Sequence, residues 1–147
     1  MVPRCVPLAL AFVVLSGCAT PGRDEDLVRS LRDEAAARAN ASAQQGQRVR
    51  PMVFSIDAAG AIDEWGCDPG FYNFASGEPV DDTVRACLER AHQKDGHRAI
   101  VCVGYDVGPD GTAGEMILKV LRVDGHECEE RRPLVQRASV QLPFSRR

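Results

Sequence analysis

The chain has 147 residues and a formal net charge of −3 at neutral pH, with 44% hydrophobic and 27% charged residues. This length favours a single domain with a modest core and excludes most large catalytic folds. A mildly acidic chain with 5% aromatic residues also argues against nucleic acid or anionic lipid as the main partner, because such partners are bound through basic surfaces and stacked aromatic rings.

The first 17 residues have the pattern of a secretory signal peptide. Arg4 is followed by an uncharged apolar run over residues 5–15, which is too short to span a bilayer. Small residues then lead to Cys18. We therefore predict that residues 1–17 form a signal peptide that is removed on export.

The sequence Leu15-Ser16-Gly17-Cys18 resembles the bacterial lipobox. In that motif the cysteine is diacylated before cleavage in front of it, and two or three acyl chains hold a protein stably on a membrane. The resemblance implies lipidation of Cys18. The residue that follows this cysteine is Ala19 and not Asp. In the common Gram-negative sorting rule, this implies the outer membrane. The expected location is the cell envelope, facing the periplasm; the alternative is an ordinary signal peptide with a coincidental cysteine.

Residues 18–48 are interpreted as the lipid anchor and a helical tether. Leu27, Leu31 and Ala35 recur near helical spacing, and Asp24 lies where a helix N-terminus favours negative charge. Because the apolar stripe is thin and mostly alanine, this helix is expected to bury little area. We interpret it as a solvated spacer, with a weak coiled coil as the alternative.

Residues 49–79 are predicted to form a β-hairpin and an aromatic segment. Two strand-like runs over residues 49–56 and 61–65 flank a four-residue loop. Most of the aromatic residues of the chain also fall in this segment. Such clusters more often pack against a neighbouring sheet than form a ligand patch, which is the alternative.

Residues 80–147 begin with a predicted helix and a second hairpin. Asp81 is a good N-cap residue, an apolar face follows at helical spacing, and Gly96 stops the helix. The period then changes to two, which predicts strands over residues 99–107 and 112–123 joined by a turn.

A second helix is predicted over residues 126–137 and a last strand over residues 140–144. This order, with the turn Pro109-Asp110-Gly111 and with Cys87 and Cys128 on the two helices, resembles the C-terminal domain of the TonB family, most closely its AgmX-type variant. The resemblance implies an α+β fold in which two helices pack on one face of a small antiparallel three-stranded sheet. It also implies binding of short extended peptides of outer-membrane proteins.

Six cysteines include Cys5 in the leader and the cysteine of the lipobox-like sequence. The other four belong to an exported chain, where disulfides are favoured, and they allow three pairings. Cys87 and Cys128 are expected on helices over one sheet face, whereas Cys102 points to the other face, where the segment with Cys67 is available. We therefore predict the disulfides Cys87–Cys128 and Cys67–Cys102. The alternative is that Cys67 and Cys102 are reduced or paired between chains.

The sequence offers no constellation for catalysis or metal binding, so we expect no enzyme, no cofactor and no metal. The three histidines lack the spacing of a helical metal pair, and the glycine-rich residues 108–114 join two strands. We expect a lipoprotein that binds an envelope protein by strand addition, because a small sheet leaves an edge strand unpaired. The expected docking edge is Val140, Gln141, Leu142 and Phe144. A structural envelope lipoprotein without a specific peptide ligand is the alternative.

Overall fold

The computed structural model describes residues 21–65 and 76–141. Within them, seven elements follow in the order α1 (Pro21–Gln44), β1 (Met52–Asp57), β2 (Ile62–Glu64), α2 (Asp82–Asp95), β3 (His97–Val107), β4 (Thr112–Arg122) and β5 (Glu127–Ser139). Five strands form one antiparallel sheet in the order β2-β1-β3-β4-β5. No helix in the described ranges is long and apolar enough to cross a bilayer.

The sheet has five strands because the β1–β2 hairpin joins edge to edge with the three C-terminal strands, β3, β4 and β5. β1 pairs with β3 from Met52, opposite Val103, to Asp57, opposite His97. The predicted β1–β2 hairpin is confirmed, but it does not stand beside a separate domain. The predicted three-stranded sheet is therefore wrong, although the fold is a mixture of α and β elements.

α2 and the β3–β4 hairpin form where the local signals predict them. Oδ1 of Asp81 accepts a hydrogen bond from the Thr83 backbone N–H at 2.8 Å, which caps the first turn of α2. Gly96 ends the helix with a φ of 73°, a left-handed conformation that favours glycine. Local chemistry is sufficient to define these elements.

β5 occupies most of the segment that the sequence predicts as the second helix. Its first six residues are Glu, Cys, Glu, Glu, Arg and Arg, and glutamate and arginine have high helix propensity. Pairing with β4 overrides that preference, since Glu130 meets Arg32 of α1 at 3.1 Å and Arg131 meets Glu115 of β4 at 3.2 Å. The helix–strand–strand–helix–strand order that carries the resemblance to TonB C-terminal domains is therefore not present among the described residues.

α1 belongs to the core, and the interpretation of this helix as a solvated spacer is wrong. Leu31, Ala35 and Ala39 are fully buried in a cluster that includes Phe54 and Leu118 of the sheet. The small alanine side chains let the helix backbone lie close to the strands. A thin alanine stripe thus indicates close packing here and not solvent exposure.

The two helices lie on opposite faces of the sheet, so the prediction of two helices on one face is also wrong. The alternation in β3 sends Val101 and Val103 towards α1 and Ile100 and Cys102 towards α2. This alternation agrees with the predicted period of two. The α2 face has the smaller of the two hydrophobic clusters.

The substitution Leu31→Ala tests the role of α1. Because Leu31 is fully buried, the cavity should lower the free energy of unfolding by about 2–5 kcal/mol. Urea unfolding followed by circular dichroism measures this change. The exposed residue Ala37 provides the control, since Ala37→Ser on the same helix should cost less than about 0.7 kcal/mol. Equal effects of the two substitutions would restore the spacer interpretation.

Candidate functional site

The sequence-predicted docking residues that the structure describes are already bonded within the chain. The Val140 backbone N–H donates to the Gly111 carbonyl at 3.0 Å, and the Gln141 N–H donates to the Val49 carbonyl at 2.7 Å. Val49 and Val140 also form an isolated parallel bridge. Two further predicted residues lie outside the described residues: Leu142 and Phe144.

Cys87 and Cys128 lie on opposite sides of the sheet as unpaired thiols. Cys87 belongs to α2, where its Sγ accepts a hydrogen bond from Arg90 Nη2 at 3.3 Å. Cys128 is in β5 and packs against the cluster under α1. The predicted Cys87–Cys128 disulfide is therefore not formed, because residue 128 is in a strand whose side chain points away from α2.

The other predicted sites on cysteine are described only in part. Cys102 is buried in the cluster under α2, the helix that contains Cys87, so the prediction that Cys102 points to the face opposite that helix is wrong. Cys67 and the proposed lipidation site Cys18 lie outside the described residues, so the pairing Cys67–Cys102 and the acylation stay predictions.

The outer side of β5 is the longer of the two sheet edges. The hydrogen bond from the Arg122 N–H to the His126 carbonyl, at 2.9 Å, sets the alternation between β4 and β5. Alternate residues from Glu127 to Pro133 then turn their backbone groups away from β4. No backbone group in the described ranges pairs with this side of the strand. We call residues 127–133 the β5 edge; the opposite edge, β2, has three residues.

A cleft of about 270 Å³, which we call the arginine cleft, lies on the α1 side of the β5 edge. Nη1 of Arg32 donates to Glu130 at 3.1 Å, and its buried Nε has no acceptor among the described residues. Each of the three lining arginines already pairs with a carboxylate, so the donor left for a carboxylate or phosphate group of a ligand is the Nε of Arg32. The lining residues are Glu25, Val28, Arg29, Arg32, Arg122, His126 and Cys128.

A second cleft of about 330 Å³, the lysine cleft, lies on the α2 side of the same strand. Lys119 is 3% exposed, and its Nζ donates to the Glu78 carbonyl at 2.6 Å. The lining residues are Gly77, Glu78, Pro79, Val80, Lys119, Glu127, Cys128 and Glu129. The two clefts therefore meet at Cys128, with one on each face of β5.

The wall of the lysine cleft is held to β5 by two glutamates. Glu129 accepts hydrogen bonds from Ser76 Oγ at 2.6 Å and from the Gly77 N–H at 2.8 Å, and these bonds lower the pKa of Glu129, the Ser76 bond most. Glu127 accepts from the Val80 N–H at 2.9 Å. The segment before α2 is thus bonded through carboxylates that belong to an edge strand.

The arrangement of the two clefts suits an added strand. Successive side chains of an extended peptide point to opposite faces of a sheet, and here each face beside the β5 edge has a cleft. In residues 21–65 and 76–141, no three His, Cys, Asp or Glu side chains converge on a position for a metal ion. The sequence signal for this edge is Pro133 beside a run of charges, which is typical of edge strands.

Comparisons of the chain with protein-family models, with curated proteins and with solved structures found no match. Nothing in them identifies a TonB C-terminal domain.

The substitution Glu129→Gln tests the link between the edge and the lysine cleft. Since the folded pKa of Glu129 is lowered, its carboxylate stabilises the fold above the unfolded pKa of about 4.3, and this contribution is lost as the pH falls through the folded value. The unfolding free energy of the variant should therefore fall less than that of the parent below about pH 4. Glu89→Gln, on the exposed side of α2, is the control. If the unfolding free energy of Glu129→Gln fell with pH as steeply as that of the parent, the role of Glu129 would be contradicted.

The thiol assignment has a direct chemical test. Because Cys87 and Cys128 are unpaired, iodoacetamide should alkylate both in the unfolded protein without prior reduction. Peptide mapping by mass spectrometry reads out each site. A peptide that joins Cys87 to Cys128 would contradict the placement of residue 128 in β5.

Proposed function

We propose that the chain is a lipid-anchored envelope protein whose domain binds an extended segment of a partner protein by strand addition at the β5 edge. The anchoring part is supported by the lipobox-like sequence that ends at Cys18. The observation that carries the binding part is a strand edge without a backbone partner in the described ranges, with a cleft on each face.

Backbone pairing would supply the affinity of such a complex. An intramolecular hydrogen bond contributes about 1 kcal/mol net, so several bonds in register make a useful binding energy. Alternate side chains of the added strand would enter the two clefts and supply the specificity. An acidic side chain complements the arginine cleft, where Arg32 has a spare donor among the described residues.

The proposed docking position differs from the one predicted from sequence. Val49 is already hydrogen-bonded to Ser139 and Gln141, the residues on either side of Val140. An incoming peptide would have to displace these bonds. At the β5 edge, an incoming peptide would displace no backbone hydrogen bond of the described residues.

A structural role without a peptide ligand is the second candidate, and one observation favours it. The β5 edge has Glu127, Glu129 and Arg131 on one face and ends at Pro133, and charges and proline are the usual protection of an edge against pairing. The proposals differ in whether the edge ever accepts a strand.

Arg131 allows a sharp test with a matched control. Its N–H lies on the outer side of β5 by the alternation set at Arg122, so Arg131→Pro removes a donor that β4 does not use. Arg131→Ala removes the same ion pairs, with Asp106 and Glu115, but keeps the N–H. Peptides selected from a displayed library against the parent should bind Arg131→Pro about tenfold more weakly than Arg131→Ala.

N-methylation of the selected peptides provides the second readout. In an added strand, the N–H groups of alternate residues face β5. Methyl groups on these nitrogens should abolish binding, whereas methyl groups on the intervening nitrogens should have little effect. Circular dichroism checks that each variant is folded. Equal affinity of the two Arg131 variants, or failure to select any peptide, would favour the structural role.

A further inference from the structure

The first turn of α1 is joined to three other parts of the domain. Arg23 Nη2 donates to the carbonyl of Ala58 in the β1–β2 turn at 2.8 Å. Asp24 pairs with Arg98 at the start of β3 at 2.9 Å and with Arg122 at the end of β4 at 3.7 Å. The helix is therefore bound to the domain from its beginning.

The proposed lipid site is very close to this helix along the chain. Cys18 precedes Pro21, the first residue of α1, by three residues. In any conformation, three trans peptide units span at most about 11 Å between Cα atoms. An acyl chain on Cys18 would thus hold the start of α1 within about three residue lengths of the headgroups.

One end of the domain is held at that distance. The turns over residues 58–60 and 123–126 lie beside the start of α1, and we call this the anchored end. α1 has 24 residues and is about 36 Å long at 1.5 Å per residue. Residues 45–48, which follow the helix, and residues 108–111, which join β3 to β4, are at the far end, where Val49 and Gly111 bond to the end of β5.

We propose that the anchored end of the domain lies directly against the phospholipid headgroups, with no stalk between them. The inference rests on the proposed anchor at Cys18. The surface there is polar and of mixed sign, with Arg23 and Asp26 exposed, so the contact is enforced by the short connection and not by insertion. The one exposed large hydrophobic residue of the described part, Val135, lies beside Asn40 in the second half of α1.

This placement limits the partner. The β5 edge starts at Glu127, directly after the turn at the anchored end, and runs away from it. A segment that pairs with the edge must then come within a domain length of the bilayer. The partner class that fits is a protein of the same membrane with an extended segment close to its surface.

Photo-crosslinking to lipid tests the placement on the full lipidated chain in vesicles of phosphatidylethanolamine and phosphatidylglycerol. Benzoylphenylalanine is placed either at Ala59, in an exposed turn at the anchored end, or at Gln47, exposed at the far end. Mass spectrometry counts lipid adducts. We expect about tenfold more adduct at Ala59, because the short anchor raises the effective concentration of headgroups there; equal yields would overturn the proposal.

A longer connection is the matched control. Inserting about 20 Gly and Ser residues between Thr20 and Pro21 gives a mean reach of about 25 Å, so the yield at Ala59 should fall towards that at Gln47. An unchanged yield would contradict enforcement by the short anchor. Mass analysis of the mature chain separates the two failures: an unacylated Cys18 removes the anchor and this inference with it, whereas an acylated Cys18 with equal adducts refutes only the placement.

Discussion

The close packing of α1 against the sheet is the constraint on which the other features depend. Ala35 and Ala39 are fully buried, and their small side chains let the helix cover a face that contains Phe54, Val101 and Leu118. Without α1, that face of a five-stranded sheet would be exposed to water, at a cost of about 25 cal/mol for each Å² of apolar surface. The same helix forms one wall of the arginine cleft and connects the domain to the proposed anchor.

α1 also explains why a strongly charged segment becomes a strand. Arg32 pairs with Glu130 at 3.1 Å and Asp33 with Arg132 at 2.8 Å, so ion pairs join the α1 face of β5 to the helix in addition to the apolar contacts of Leu134 and Ala138. Partly exposed pairs of this kind each contribute little to stability. Their effect is on orientation. They hold side chains of the strand against α1, while its outer backbone groups have no partner among the described residues.

The parts of the fold that depend on local chemistry could be predicted, and those that depend on distant partners could not. The N-cap Asp81, the stop at Gly96 and the alternation in β3 are readable within a few residues, and the structure has α2 and β3 there. β5 was missed because its glutamates and arginines favour a helix locally, and only β4 and α1 supply the competing interactions. That error also led to the expected Cys87–Cys128 pair, since it placed residue 128 over the wrong face.

A charged edge and a short anchor are compatible with selective binding when taken together. Charges and proline make the β5 edge a poor template for the many strands of a crowded compartment. A segment held in the same membrane, however, would be presented at a high effective concentration, which can raise apparent affinity by about 10²–10⁴ without any new contact. Weak intrinsic pairing then becomes sufficient for a partner at the membrane and insufficient for a diffusing chain. The short connection between Cys18 and α1 would therefore set the specificity of the edge as much as the side chains of the edge do.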